Sequence, residues 1–297
     1  MPDPSTPDPS GSQTLLTAWT GARDRLKAAQ IDSPVIDARI LVEAACDATR
    51  TDIVTDPYRA VAPEQIERLN AYVERRMRRE PVARIIGRKG FWKIMLNVDS
   101  SVLIPRPDTE VVVDWALKST GEADALRVLD LGVGSGAILL AILAERPRAT
   151  GLGVDVSEEA LAVARDNAAQ LGLDNRLALL RGDWTVGLHD AQFDLVVSNP
   201  PYIASDEIET LEPEVRLHEP RLALDGGPDG LDAYRHLAPE ILRVLKPGGL
   251  FLVEIGWTQS PDVEALFNQA GAEGVSTIKD LADRNRVVMG RRKPLES

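Results

Sequence analysis

The segment Ser198-Asn199-Pro200-Pro201-Tyr202 carries the most specific chemistry in this 297-residue sequence. Consecutive prolines fix the backbone and offer carbonyl acceptors without N–H donors. The side-chain oxygen of Asn199 and the carbonyl of Pro200 can therefore hold both hydrogens of a planar –NH2 group, and Tyr202 can pack on that group. An amide or exocyclic amine held in this way points its electron pair at an electrophile. For the motif taken alone, a structural proline-rich turn is the alternative.

A glycine-rich turn, Leu129-Asp130-Leu131-Gly132-Val133-Gly134-Ser135-Gly136, joins an apolar strand to an apolar helix. Glycines allow close backbone approach, and the helix N-terminus beyond them has N–H groups without helical partners. The turn predicts a nucleotide-type site, although its alternate glycines depart from the dinucleotide G-x-G-x-x-G pattern. A tight turn without a ligand is the structural alternative. The predicted contacts are Gly132, Val133, Gly134, Ser135 and Gly136.

Acidic and aromatic residues follow the next two predicted strands. Asp155 stands where an acid can accept both hydroxyls of a ribose, and Ser157 already provides the cap of the following helix. Asp183 can meet an adenine amino group, while Trp184 can cover the adenine ring. Simple packing is an equally good interpretation of Trp184.

Alternating strands and helices must position these motifs. The pattern predicts a parallel sheet, whose strands end at one edge where ligands bind. Helices are predicted over 109–118 and 158–171. The predicted strands are Arg127–Leu131, Thr150–Val154, Leu177–Arg181, Phe193–Val197, Leu250–Ile255, Val275–Ile278 and Arg286–Met289.

The part of the chain before this alternation is predicted to be helical. Apolar residues recur at helical spacing from Gln13 to Arg79, and Pro34 and Pro63 suit first turns of helices. A β-hairpin is predicted from Ala83–Ile86 and Phe91–Val98. The expected organisation is a disordered tail at 1–12, a helical domain at 13–82, a hairpin linker at 83–104 and an α/β domain at 105–292.

Composition excludes several classes of protein. With 44% hydrophobic and 27% charged residues, the bulk is not disordered, collagen-like or a disulfide scaffold. The net charge of -12 disfavours broad binding to nucleic acid or anionic membranes. Cys46 is the only cysteine, which excludes an intramolecular disulfide and fits a cytoplasmic location. The longest apolar run, Ala137–Ala144, is short of the roughly 20 residues that span a bilayer.

A basic stretch interrupts the acidic background. Either it is a solvated helix face, or it is a docking surface for an acidic partner. Its cations are Arg75, Arg76, Arg78, Arg79, Arg84, Arg88, Lys89 and Lys93, with Glu80 opposing them.

Together these motifs closely resemble the HemK/PrmC family of S-adenosylmethionine-dependent methyltransferases. Two further stretches share the resemblance: Ile104-Pro105-Arg106-Pro107-Asp108-Thr109-Glu110 and Glu219 to Leu231. It covers nearly the whole chain after the tail. The resemblance implies a Rossmann-like class I fold with a mostly parallel seven-stranded sheet. It also implies methylation of the side-chain amide of glutamine in the Gly-Gly-Gln motif of peptide chain release factors, with the helical domain recognising the substrate.

Carried over by position, the resemblance puts the methionine part of the cofactor against Gly132–Gly136, its ribose on Asp155 and its adenine by Trp184. Asn199 lies between cofactor and substrate, and Pro200, Pro201 and Tyr202 complete the pocket for the glutamine. Val133 stands where the family usually has threonine. Glu110 and Glu254 are candidate supporting carboxylates, with helix and strand ends as structural alternatives. No metal is expected, and the enzyme is expected to be monomeric and without a stable nucleic-acid or membrane partner.

Other functions stay open from sequence. Asn-Pro-Pro-Tyr suits any planar –NH2 group, so adenine or cytosine in DNA or RNA and a ribosomal protein glutamine are alternative substrates. A non-catalytic adaptor that keeps the cofactor fold is a further alternative.

Overall fold

The structure is a computed structural model that describes residues 13–295. The predicted tail at 1–12 lies outside the described residues. The chain divides into two compact units, one ending at Gly87 and the other beginning at Arg88.

The first unit consists of helices around its own apolar core. Pro34 and Pro63 are the first residues of their helices, as predicted, because a first-turn N–H has no helical partner to lose. The helices are α1 (Leu15–Ala28), α2 (Pro34–Ala45), α3 (Arg50–Thr55), α4 (Pro63–Met77) and α5 (Val82–Ile86).

The prediction of a strand at Ala83–Ile86 is wrong, because these residues form the short helix α5. Pro81 precedes its first turn, and Gly87 ends it in the left-handed conformation at φ 73°. One helical turn buries both Arg84 and Ile85, whereas alternation in a strand would place them on opposite faces.

The second unit begins with a hairpin of β1 (Arg88–Phe91) and β2 (Ile94–Asn97). Arg88, Lys89 and Gly90, which separate the two predicted strands, therefore lie in β1. The actual turn is at Trp92, whose φ is 52°, so the prediction of a continuous strand over Phe91–Val98 is wrong as well. The hairpin packs within this unit, where Phe91 and Leu96 join the main core. Its backbone is also held by side chains: Glu110 accepts from Trp92 N–H at 2.8 Å.

A seven-stranded sheet forms the rest of the second unit, in the order β5-β4-β3-β6-β7-β9-β8. The first five strands in this order are parallel, and β9 runs antiparallel to both β7 and β8. The strands are β3 (Arg127–Leu131), β4 (Thr150–Asp155), β5 (Leu177–Arg181), β6 (Phe193–Ser198), β7 (Leu245–Glu254), β8 (Ala272–Lys279) and β9 (Asn285–Arg292).

Helices cover both faces of this sheet, with a buried apolar cluster on each. They are α6 (Glu110–Lys118), α7 (Ala137–Glu145), α8 (Glu158–Gln170), α10 (Asp232–Val244) and α11 (Ser260–Gln269). The short helix α9 (Pro213–Arg216) lies between β6 and α10 in the chain and buries none of its residues. The predicted Rossmann-like, mostly parallel sheet is confirmed. No helix among residues 13–295 is long and apolar enough to cross a membrane.

The chain order of the strands determines where a ligand can bind. From β3 the chain moves outward through β4 and β5, then returns to place β6 on the other side of β3. Such a reversal leaves a crevice at the carboxyl ends of the two central strands. The glycine-rich turn follows β3 and the Asn-Pro-Pro-Tyr motif follows β6, so the fold brings them together there.

Candidate functional site

A cavity of about 490 Å³ opens at the carboxyl ends of the strands, within the second unit. This volume suits a cofactor-sized ligand. Most of the predicted site residues line it: Gly132, Val133, Gly134, Ser135, Asp155, Asp183, Trp184, Asn199 and Pro201.

The glycine-rich turn presents bare backbone to this cavity. Gly132 and Gly134 have positive φ values of 75° and 52°. A Cβ atom on Gly134 would meet nothing within 4 Å, so the space beside it is open to a ligand. Gly136 lies outside the cavity lining: it precedes α7 at φ 83°, and a Cβ there would come within 2.8 Å of Leu140. Its role in this structure is to pack the turn against the helix.

Asp155 is oriented by two backbone N–H groups. Gly134 N–H donates to Oδ2 at 2.9 Å, and Ser157 N–H donates to Oδ1 at 3.0 Å. The Ser157 hydroxyl accepts from Ala160 N–H, which confirms the predicted helix cap. The Asp155 carboxylate therefore faces the cavity with lone pairs that can accept from hydroxyl groups.

Asp130, at the end region of β3, lines the cavity although sequence reasoning gave it no role. It is 1% exposed, and its Oδ1 has no hydrogen-bond partner among the described residues. Burial raises the pKa of Asp130 well above its usual range, the Leu139 N–H opposes this, and the Asp155 charge raises it further. A buried carboxyl group in such a position suits a cationic ligand group, such as the ammonium of an amino acid.

Trp184 lies beside the glycine turn. The residue has a positive φ of 51°, and its ring would be 3.6 Å from a Cβ on Gly132. Asp183 is exposed next to it and also lines the cavity. The Trp184 indole can therefore cover an aromatic base, and the Asp183 carboxylate can accept a hydrogen bond from an amino group of that base.

The Asn-Pro-Pro-Tyr segment divides between cavity and interior. Asn199 and Pro201 line the cavity, whereas Pro200 and Tyr202 lie outside its lining. Asn199 Nδ2 donates to the hydroxyl of Thr109 at 3.3 Å. The Asn199 oxygen therefore remains available to accept from a ligand. The Tyr202 hydroxyl instead donates to Glu254 Oε1 at 3.2 Å.

The two candidate carboxylates have different surroundings. Glu110 accepts from Trp92 N–H and so holds the hairpin in place. Glu254 is 1% exposed, and burial raises its pKa to about 7. The nearby Thr109 hydroxyl, the charge of Arg286 and the hydrogen bond from Tyr202 lower that pKa, without cancelling the effect of burial.

The two stretches that sequence analysis used only for resemblance meet at the cavity. Arg106 and Thr109 line it from one stretch, and Pro220, Leu222, Ala223 and Asp225 line it from the other. Glu219 joins the stretches, because its carboxylate accepts from Ile104 N–H at 3.2 Å and from Arg106 at 3.0 Å. Their resemblance to the family was the available signal, but a resemblance in sequence does not show which side chains face a ligand.

Several cations of the basic stretch form ion pairs within their own unit. In the first unit Arg75 pairs with Glu80 at 2.6 Å, and Arg76 pairs with Asp37 at 2.7 Å. Arg76 is 7% exposed, so neither a solvated helix face nor a docking surface describes it. In the second unit Lys93 pairs with Glu145 at 2.7 Å.

The site has no metal-like constellation. Among residues 13–295, no group of three or more His, Cys, Asp and Glu side chains is arranged to hold a metal ion.

The sheet order and the glycine-rich cavity define a Rossmann-like methyltransferase that uses S-adenosylmethionine. A family model of a methyltransferase domain matches residues 122–285, and a model of the PrmC N-terminal domain matches residues 17–87. The chain is 68% identical to a release factor glutamine methyltransferase of Caulobacter vibrioides, covering 96% of this chain and 98% of the relative. It is 43% identical to one of Agrobacterium fabrum, covering 95% and 99%. The chain belongs to the release factor glutamine methyltransferase family.

A ribosomal protein L11 methylase from Lactobacillus delbrueckii subsp. bulgaricus is among the similar solved structures. Its TM-score is 0.47 at 20% identity, covering 67% of this chain and 85% of that chain. The assignment to the family does not depend on it.

Proposed function

We propose that this enzyme transfers the methyl group of S-adenosylmethionine to the side-chain amide nitrogen of glutamine in the Gly-Gly-Gln motif of a peptide chain release factor. The observation that carries the proposal is the Asn199 side chain, which lines the cavity with its –NH2 group bound to Thr109 and its oxygen left to accept. An acceptor at this point suits an incoming amide. The names of the relatives supply the substrate class.

The chain offers a separate contact for each part of the cofactor. Asp155 accepts from the ribose hydroxyls, and Trp184 with Asp183 receives the adenine. The backbone of Gly132–Ser135 lies along the methionine part, and the buried Asp130 carboxyl meets its ammonium group. Support comes from Asp130 Oδ1, which has no hydrogen-bond partner within residues 13–295, and from the open space beside Gly134. When bound, the cofactor supplies an electrophilic methyl group on a sulfonium.

The protein contributes placement and electrostatic fit to the reaction. An amide nitrogen is a poor nucleophile because its lone pair is delocalised into the carbonyl, so orientation has to supply much of the acceleration. The Asn199 oxygen accepts one amide hydrogen from the cavity. The family resemblance assigns the second to the carbonyl of Pro200, a residue outside the cavity lining, and this pair of acceptors would direct the nitrogen lone pair toward the electrophile. Tyr202 lies outside the cavity lining, and its hydrogen bond to Glu254 fixes the position of the Asn-Pro-Pro-Tyr segment.

Recognition of the release factor is assigned to the helical unit, as the family resemblance implies. Arg76 is excluded from the surface that would contact the release factor, because it is buried against Asp37. Release factors act where proteins are synthesised, so a cytoplasmic location is part of the proposal. A monomeric state is part of the proposal too. So is the absence of a stable nucleic-acid or membrane partner, which the net charge of -12 supports.

The deciding experiment measures transfer of a labelled methyl group from S-adenosylmethionine to a purified release factor. Its Gly-Gly-Ala variant and duplex DNA serve as parallel acceptors. Label on the wild-type factor alone is expected. Label on DNA, or equal label on the Gly-Gly-Ala variant, would contradict the proposed target.

A further inference from the structure

The glycine-rich turn combines close backbone approach with conformational freedom. Gly132, Gly134 and Gly136 all have positive φ values, which suit glycine and leave bare backbone beside a ligand. The same residue type has the greatest backbone freedom, so holding it in one conformation costs entropy. A turn that is fixed before the ligand arrives does not lose this entropy on binding. The affinity for a ligand therefore depends on what fixes the turn.

The Asn167 side chain of α8 holds this turn from the protein interior. Asn167 is 0% exposed, and its Nδ2 donates to the Ser135 carbonyl at 2.9 Å. The N–H of the same peptide group, on Gly136, donates to the Val133 carbonyl at 2.8 Å. Both polar groups of the Ser135–Gly136 peptide are therefore bonded, which opposes its rotation. Ser135 lines the cavity, whereas Asn167 lies outside the lining.

The same side chain is anchored to the hairpin. Asn167 Oδ1 accepts from the Asn97 N–H at 2.7 Å, and Nδ2 also donates to the Asn97 carbonyl at 3.1 Å. Asn97 is the last residue of β2. The amide oxygen and both amide hydrogens are thus used, which determines the orientation of the side chain. A flipped amide would turn its oxygen toward two carbonyl groups.

We propose that Asn167 is a positioning residue that fixes the Ser135–Gly136 peptide, and with it the glycine-rich turn, in the conformation that binds the methionine part of S-adenosylmethionine. This proposal rests on the proposed function, in which the backbone of Gly132–Ser135 lies along that part of the cofactor. The effect of Asn167 passes through Ser135. Sequence analysis gave Asn167 no role, because Ser135 and Asn97 are 32 and 70 residues away from it in the chain.

The main test measures the Kd of S-adenosylmethionine for Asn167→Ala by calorimetric titration without a release factor. The Kd is expected to rise by about 10-fold, because the loss of roughly one hydrogen bond weakens binding on that scale. At saturating S-adenosylmethionine, kcat and the KM of the release factor should change less than about 2-fold, since the substrate contacts are retained. An unchanged Kd would overturn the proposal.

Fixation of the turn is measured directly by hydrogen exchange of the free enzyme, followed by NMR. The Gly136 N–H is bonded to the Val133 carbonyl, so its exchange rate reports opening of the turn. We expect this N–H to exchange about 10-fold faster in Asn167→Ala than in the wild type, on the scale of one lost hydrogen bond. Equal exchange rates would show that Asn167 does not fix the turn.

A matched control is Gln170→Ala on the same helix. Gln170 Nε2 donates to the Met95 carbonyl at 3.2 Å, and Gln170 Oε1 accepts from Asn97 Nδ2 at 3.1 Å. Gln170 therefore binds the same hairpin strand as Asn167 but, within residues 13–295, has no hydrogen bond to the glycine-rich turn. This variant should keep the wild-type Kd and exchange rate. A rise in Kd equal to that of Asn167→Ala would assign the effect to the hairpin anchor and reject the positioning role.

Asn167→Asp is a second variant of nearly constant shape. Its carboxyl group can still accept from the Asn97 N–H, but only the protonated form can donate to the Ser135 carbonyl. The groups bonded to Asn167 in the described part of the chain are backbone groups, which do not titrate, so this pH dependence comes from the introduced carboxyl group. Dividing by the wild-type Kd removes the titration of Asp130 and Asp155, which both proteins share.

The ratio of the Asn167→Asp Kd to the wild-type Kd should rise with pH, to about 10-fold where the carboxyl group is ionised. Burial places this rise above the ordinary range of an aspartate. A ratio that stays constant between about pH 5 and about pH 9 would contradict the role of the donated hydrogen bond. If Asn167→Ala fails to fold, this ratio decides the proposal.

The wild type is measured first, which separates the two levels of inference. No transfer from the wild type to any release factor contradicts the proposed function. The Kd values still decide the positioning role in that case, because they need no methyl acceptor. Normal wild-type turnover with an unchanged Kd in Asn167→Ala contradicts only the positioning role.

Discussion

At the scale of single residues, Asn199 combines a fixed position in the cavity with a side-chain oxygen that can accept from the substrate amide. It follows a strand in which every residue but Asp194 is buried, and the Ser198 hydroxyl before it donates to the Leu131 carbonyl at 2.7 Å. The residue therefore has a fixed backbone and a side chain held by Thr109. A contact made to the reacting amide should affect turnover more than cofactor binding.

Asn199→Ala is accordingly expected to retain folding and S-adenosylmethionine binding while losing at least about 100-fold in kcat, since it removes an orienting acceptor. Radiolabel transfer and calorimetric titration of the cofactor measure the two quantities. Asn175→Ala, at an exposed asparagine outside the cavity lining, is the control. Near-normal turnover in Asn199→Ala would remove the orienting role.

Asp155 should behave in the opposite way, because it faces the cofactor rather than the substrate. Asp155→Ala is expected to raise the Kd of S-adenosylmethionine by about 10- to 100-fold, the size expected for lost hydrogen bonds to a charged group. Asp166→Ala removes an exposed aspartate from α8 and should leave the Kd unchanged. An unchanged Kd in Asp155→Ala would contradict the ribose contact.

At the scale of elements, the first unit depends on a buried ion pair between α2 and α4. Arg76 Nε donates to Asp37 Oδ2 at 2.7 Å, and both side chains are about nine-tenths buried. Removing one partner leaves an uncompensated charge in the interior. Arg76 therefore stabilises the first unit, although it lies in a basic stretch of the sequence that is compatible with a charged surface.

Arg76→Ala is expected to destabilise the helical unit by about 3 kcal/mol, at the lower end of the range for breaking a buried pair. Urea unfolding followed by circular dichroism measures the change. Arg78→Ala is the neighbouring control, since Arg78 is exposed at the end of α4. Equal stability of the two variants would show that the pair contributes little.

At the scale of the whole molecule, the buried Glu254 carboxyl group links folding to pH. Burial raises its pKa from 4.5 to about 7 in the folded chain. The folded state thus binds the proton more tightly than the unfolded state. Its contribution to stability is fully present below pH 4.5 and is lost as the pH rises through about 7.

Glu254→Gln removes this titration, so the difference in unfolding free energy between variant and wild type should change by about 3 kcal/mol in favour of the variant from pH 4.5 to pH 8. Denaturant unfolding at several pH values measures it. Glu240→Gln is the control. Hydrogen bonds from Arg243 and Thr185 lower the pKa of Glu240, so the difference in unfolding free energy should change with pH in the opposite direction. A flat difference for Glu254→Gln would show that Glu254 keeps an ordinary pKa.

The sequence by itself determined the strands of the sheet, the glycine-rich turn, the Asn-Pro-Pro-Tyr motif and most of the helix starts. Strand β3 has the predicted bounds, and Pro34 and Pro63 begin helices. These features depend on steric and hydrogen-bonding preferences of neighbouring residues, which the local sequence carries. The chain order of the strands then placed both motifs at one sheet edge.

Only the tertiary structure decided which residues meet across long separations. It made Val82–Ile86 a helix and placed the hairpin at Arg88–Asn97, after the predicted first strand. It also brought Asp130 to the cavity, buried Arg76 against Asp37 and connected Thr109 with Asn199. Local spacing does not encode these contacts, because burial and the pairing of distant polar groups arise only when the packed elements exclude water.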